Sequence, residues 1–67
     1  MRISYNKLWK MLIDKNMKKS DLIEKAGISS ASLAKLGKGD NITTDVLLRI
    51  CKVMDCRIED ILETVRD

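Results

Sequence analysis

Residues 17–39, MKKSDLIEKAGISSASLAKLGKG, gather the side chains with which this chain could do chemistry. Lys18, Lys19, Lys35 and Lys38 are cations; Ser29, Ser30 and Ser32 carry hydroxyls. Amines and hydroxyls in this mixture suit recognition of an anion or of a hydrogen-bonding edge. Breaking a bond would call for a proton acceptor tuned near the working pH. The chain contains no histidine, no glycine-rich phosphate loop and no pair of carboxylates in a plausible pocket. Glu59, Asp60 and Glu63 read as the solvated side of a helix. No enzyme, cofactor or small-molecule ligand is expected. Cys51 and Cys56 are the only cysteines. A C-x4-C pair cannot supply the four ligands of a structural zinc site, and both read as core thiols rather than metal ligands or a disulfide.

Charge points to the class of partner. Residues 1–39 hold nine Lys/Arg against three Asp/Glu, a balance of +6; residues 40–67 hold four against seven, a balance of −3. Such asymmetry suits an anionic partner for the basic half, either nucleic acid or a membrane surface. No apolar run approaches the roughly 18 residues of a membrane span, and MRISYNKLWK lacks the apolar region of a signal peptide. A cytoplasmic chain is expected. Tyr5 and Trp9 are the only aromatics, too few for a platform that stacks single-stranded bases.

The elements that must position these groups follow from hydrophobic period. Tyr5, Leu8, Trp9 and Leu12 mark a first helix at about residues 5 to 15. Leu22, Ile23 and Ala26 mark a second, ended by Gly27. Leu33 and Leu36 carry a third, with Ser29 at its N-cap and Gly39 at its end. Val46, Leu47, Ile50, Cys51 and Met54 define a fourth with Thr43 as N-cap, and Ile58, Ile61, Leu62 and Val65 a fifth. No run reads as a strand. The expected fold is therefore all-α, a single domain over residues 1–67 with five short helices, in which the second and third form a helix-turn-helix. A chain of this length buries only about 60% of its unfolded surface, so its core is thin. Helix 1 carries a wide apolar stripe, Leu8, Met11 and Leu12 on one face and Tyr5, Trp9 and Ile13 on the next. Packing against a terminal helix or a subunit interface would each account for it.

Leu22, Ala26-Gly27-Ile28-Ser29, Leu33, Leu36 and Gly39 resemble the lambda repressor/Cro-like helix-turn-helix family, the xenobiotic-response-element class of transcriptional regulators. LLRICKVMDCRIEDIL, residues 47–62, is similar to that family's fourth helix, turn and fifth helix, so the likeness spans about residues 5 to 64. It implies that helix 3 enters the major groove of double-stranded DNA. By position, Ser30, Ala31 and Lys35 fall on base-reading sites, with Ser32 and Ala34 beside them. A count around the helix independently sets Ala31, Ala34, Lys35 and Lys38 opposite Leu33 and Leu36. Lys35 can donate to guanine, Ser30 to several base edges, and Ala31 can touch only a thymine methyl. Backbone contacts are expected from Lys18, Lys19, Lys38, Asn41, Thr43 and Thr44. The family often pairs an Arg late in helix 1 with a Glu at the end of helix 3; Leu12 and Gly37 stand there in this chain, with Gly37 read as the chain's exit from the helix. Where the family prefers a Ser or Thr cap, Lys18 stands, so helix 2 is expected to start frayed or one residue displaced.

The function these expectations describe is a sequence-specific transcriptional regulator acting as a homodimer on a two-fold symmetric operator. Trp9, Ile58, Ile61, Leu62 and Val65 are the candidate dimer surface, although closing the core would explain the same residues. The alternative is a module of the same fold that docks a protein partner, antitoxin-like or adaptor-like, with little base readout.

Overall fold

In the computed structural model, four amphipathic segments form α-helices: α1 (Asn6–Asp14), α2 (Lys19–Ala26), α3 (Ser30–Lys38) and α4 (Thr44–Met54). Residues 1–66 are described; Asp67, the last residue of the expected domain, lies outside them. Each helix stops within two residues of a left-handed backbone position, at Asn16, Gly27, Gly39 and Asp55. Asn and Asp tolerate that conformation better than other side chains, and glycine adopts it without penalty. After three of these stops the next amide reaches back five residues: Met17 to Leu12 O (2.9 Å), Asp40 to Lys35 O (2.9 Å) and Cys56 to Cys51 O (3.0 Å). Carbonyls that would otherwise lack a partner are satisfied in this way.

The core sits where the helices converge. Leu8, Leu22, Leu36, Ile50, Met54 and Ile61 are fully buried, so every helix sends at least one side chain to the centre. Burying such a side chain contributes about 1.5–3 kcal/mol. Tyr5, just ahead of α1, is buried as well, and that burial raises its phenol pKa. The wide stripe on α1 thus divides: Tyr5 turns inward, Trp9 is half-buried, and Ile13 stays 77% exposed.

The expected fifth helix is not formed. Its start is a single 3₁₀ turn, Ile58–Asp60, and residues Glu63–Val65 form a strand, β2. β2 pairs antiparallel with β1 (Arg2–Ser4), with Arg2 opposite Val65, Ile3 opposite Thr64 and Ser4 opposite Glu63. The fold is thus mostly helical, with four α-helices and a two-stranded sheet that joins the two ends of the described chain. The Asp60 carboxylate accepts the Arg57 N–H at 2.9 Å and caps the start of the turn, as Asp21 does for α2. What decides against a longer helix is the ladder: Thr64 and Val65 suit the pleated backbone, and Ile3 and Arg2 supply the partners across it. Ile61 reaches the core in this path just as it would from a helix. Of the residues read as a solvated helix face, Glu59 gives its carbonyl to Lys7 Nζ (3.2 Å), Asp60 closes the turn, and Glu63 lies in β2.

The contrast between Ile61 and Ile13 can be measured. Ile61→Ala should cost about 2–5 kcal/mol in urea unfolding, whereas Ile13→Ala should change stability by no more than about 0.5 kcal/mol.

Candidate nucleic-acid interface

The helix-turn-helix is assembled by three local devices. Gly27 takes φ +66°, which only glycine adopts freely, and its N–H donates to Ile23 O at 3.0 Å. Ile28 then drops into the core. Ser29 restarts the helix: its Oγ accepts the Ser32 N–H at 3.1 Å, and its hydroxyl donates to Ser32 Oγ at 3.1 Å. Ser32 is half-buried and its oxygen is engaged in the cap, so of the five expected base-reading residues it is the least open. Ser30, Ala31, Ala34 and Lys35 are all exposed on the side of α3 away from the buried Leu36, and Lys38 continues that side to the helix end.

A fourth device is non-local. Arg49 on α4 donates from Nη1 to Gly27 O (3.3 Å) and from Nε to Asp45 Oδ2 (3.1 Å). One guanidinium thereby holds the turn between α2 and α3 to the next helix. The Asp45–Arg49 spacing of four residues is a visible signal for the ion pair. The reach across 22 residues to Gly27 is not visible in any local pattern.

The flanking cations are placed on both sides of the turn. Lys19, the first residue of α2, holds its ammonium 4.6 Å from the centroid of the Trp9 ring. A cation at a helix N-terminus opposes the macrodipole by about 0.3–1 kcal/mol, and a cation–π contact of about 0.5–1 kcal/mol offsets it. Trp9 therefore has a local role besides packing. The start of α2 is not displaced: Lys18 occupies the N-cap position, and the Asp21 carboxylate accepts its N–H at 3.0 Å in place of a side-chain cap on the other side. The amides of Lys19 and Ser20 lie at the helix start, where no intrahelical acceptor exists. Beyond α3, Lys38 and Asn41 are exposed, Thr43 Oγ1 accepts the Val46 N–H (3.3 Å), and Thr44 opens α4. Lys18, Lys19, Lys35 and Lys38 make no ion pair with a carboxylate of the described residues.

Two further expectations meet a different geometry. Gly37 is not the exit of α3; the helix runs through it to Lys38 and turns at Gly39, with φ +72°. A Cβ on Gly37 would have no neighbour within 4 Å, so nothing packs on that glycine. Leu12, on the other half of the substituted pair, is buried in the core at 3% exposure. In the candidate dimer set, Ile58, Leu62, Val65 and Trp9 keep part of their surface, while Ile61 has none to offer a partner.

A short helix, a glycine turn and a serine-capped second helix with an open, lysine-flanked outer face define a helix-turn-helix DNA-binding domain. Residues 7–67 match the Cro/C1-type HTH DNA-binding domain, and the chain belongs to that family. It is similar to YozG, an HTH-type transcriptional regulator of Bacillus subtilis (strain 168), with 40% identity over 55 residues, 79% of this chain and 66% of that protein. The chain thus spans just under two thirds of that relative's length. It is also similar to the transcriptional regulator VanUg, whose crystal structure matches with a TM-score of 0.94 at 50% identity over 98% of this chain and 88% of that one. The family resemblance carried by Leu22, Ala26–Ser29, Leu33, Leu36 and Gly39 is borne out. The family is one of DNA-binding regulators, not of enzymes. No helix among the described residues is long and apolar enough to cross a membrane.

Gly37 and Ser29 give opposite tests of α3. Gly37→Ala should stabilise the domain by about 0.5–1 kcal/mol, since an exposed mid-helix glycine costs that much relative to alanine. Ser29→Ala should destabilise it by about 0.5–2 kcal/mol through loss of the cap. Urea unfolding monitored by helical circular dichroism reads both.

Proposed function

We propose that this chain is a sequence-specific double-stranded-DNA-binding transcriptional regulator that acts in the cytoplasm as a homodimer, with α3 in the major groove of each half of a two-fold symmetric operator. The observation that carries the reading is the outer side of α3: Ser30, Ala31, Ala34 and Lys35 are exposed together while Leu36 behind them is buried. Short side chains allow close approach of the helix to the groove floor. Lys35 is the one residue of that side able to make a strong donor contact to guanine O6 or N7, worth about 1–3 kcal/mol of discrimination. Ser32 stands second to it, since its oxygen serves the helix cap. Lys18, Lys19, Lys38, Asn41, Thr43 and Thr44 supply the phosphate contacts, which set register and orientation rather than sequence. DNA shape supplies the remaining preference. Trp9, Ile58, Leu62 and Val65 are the apolar surface left to a second copy.

Selection of bound duplexes from a random pool at about 0.1 M salt tests the reading, because salt in this range sets the share of non-specific binding. The expected result is an enriched palindrome with half-site centres about 34–36 Å apart, one helical turn. Enrichment of no sequence would reduce α3 to a backbone binder. Lys35→Ala should relax preference at one position of each half-site, whereas Lys19→Ala should weaken all duplexes alike. Absence of duplex binding would favour the partner-docking reading, which the exposed Ile13 beside Trp9 and Met17 supports.

A further inference from the structure

We propose that Cys51 and Cys56 are a preformed thiol pair that closes to an intrachain disulfide when the chain meets a low-molecular-weight disulfide such as oxidised glutathione, stapling the end of α4 to the turn that leads into β2. The pairing is built by the backbone. Asp55 adopts φ +52°, and the Cys56 N–H donates to Cys51 O at 3.0 Å. With about 2.4 Å from Cα to O across the Cys51 carbonyl and one N–Cα bond at Cys56, that contact holds the two Cα atoms within about 6.9 Å of each other. A disulfide tolerates Cα separations of up to about 7 Å, so the bridge needs no unfolding of the helix end. In the usual form of this helix stop the same two positions hold an apolar contact; here they hold two thiols, and the Cys51 thiol is among the groups that raise the pKa of Cys56. Both are free in the structure.

The two sulfurs differ in access. Cys51 is buried in the core, at 8% exposure, while Cys56 is half-buried. Cys56 is accordingly the entry point. Its thiolate attacks one sulfur of oxidised glutathione, the glutathione disulfide bond breaks, and the first glutathione thiolate leaves. The Cys51 thiolate then attacks Cys56 Sγ in the mixed disulfide and expels the second. Two protein thiols are oxidised by two electrons, one glutathione disulfide becomes two glutathiones, and these take up the two protons. Burial, the Cys51 thiol and the Asp60 carboxylate push the Cys56 thiol up to about 11, against a smaller opposing effect of Lys15. The rate should therefore climb about tenfold for each pH unit through the neutral and mildly alkaline range, following the thiolate fraction.

The test uses the whole chain with oxidised glutathione under native conditions, followed by maleimide blocking and intact mass analysis. The expected product is a single chain lighter by two hydrogens, without glutathione or maleimide adduct, returned to two reactive thiols by dithiothreitol. Cys51→Ser should stop at a glutathione adduct on Cys56, which shows separately that Cys56 is reachable. In urea unfolding, the oxidised chain should show a higher midpoint than the reduced one. A stable glutathione adduct on the unsubstituted chain, a disulfide between chains, two thiols still open to maleimide, or a lowered midpoint would each overturn the proposal.

Discussion

The rest of the structure depends on the burial of Leu36 beneath the outer side of α3. In a 67-residue chain the core is thin, and Leu36 reaches it together with Leu8, Leu22, Ile50 and Ile61. A helix of nine residues has little stability of its own in water. Its orientation is set by what its inner side touches and by how its ends are tied. Ser29 ties the start and Gly39 turns the end, while Arg49 holds the Gly27 carbonyl and hence the angle at which α2 delivers the chain to α3. With the inner side and both ends committed, the outer side is free to carry small and basic residues that contribute nothing to the core.

That division explains the electrostatics as well. Lys18 and Lys19 stand where the helix dipole disfavours cations, and a structural role alone would not select them there. The Trp9 ring under Lys19 and the Asp21 carboxylate on the Lys18 amide lower the cost. Lys35 and Lys38, in the last turn of α3, are favoured by the same dipole. A phosphate backbone along this side would meet cations from two helix ends. The family match, the open side of α3 and the charge placement are three separate lines that agree on DNA as the partner.

Much of this was legible in the sequence because the signals are local. Period placed four helices, Ser29 and Thr43 cap as their residue types imply, and Gly27 and Gly39 turn the chain where expected. The exposure of Ala31, Ala34, Lys35 and Lys38 follows from Leu33 and Leu36 by helical spacing, and that of Ser30 from its place at the tip of the helix. What escaped is mostly non-local. Ile58, Ile61, Leu62 and Val65 keep helical spacing, yet Ile3, at the other end of the chain, recruits Thr64 into a ladder. Gly37, at the position of the family's glutamate, stays inside α3 because the left-handed turn falls two residues on, at Gly39. The clamp from Arg49 to Gly27 has no sequence signature beyond the ion pair with Asp45.

The central claim is that the outer side of α3, with the helix ends beside it, is the surface that meets DNA. The most direct measurement is the shift of backbone amide resonances on titration with an operator-containing duplex. The account predicts the largest changes at residues 30–38, with lesser ones at 18–20 and 41–44, and small changes along β1 and β2. Changes concentrated on Trp9, Ile13 and Met17, with α3 unmoved, would contradict it.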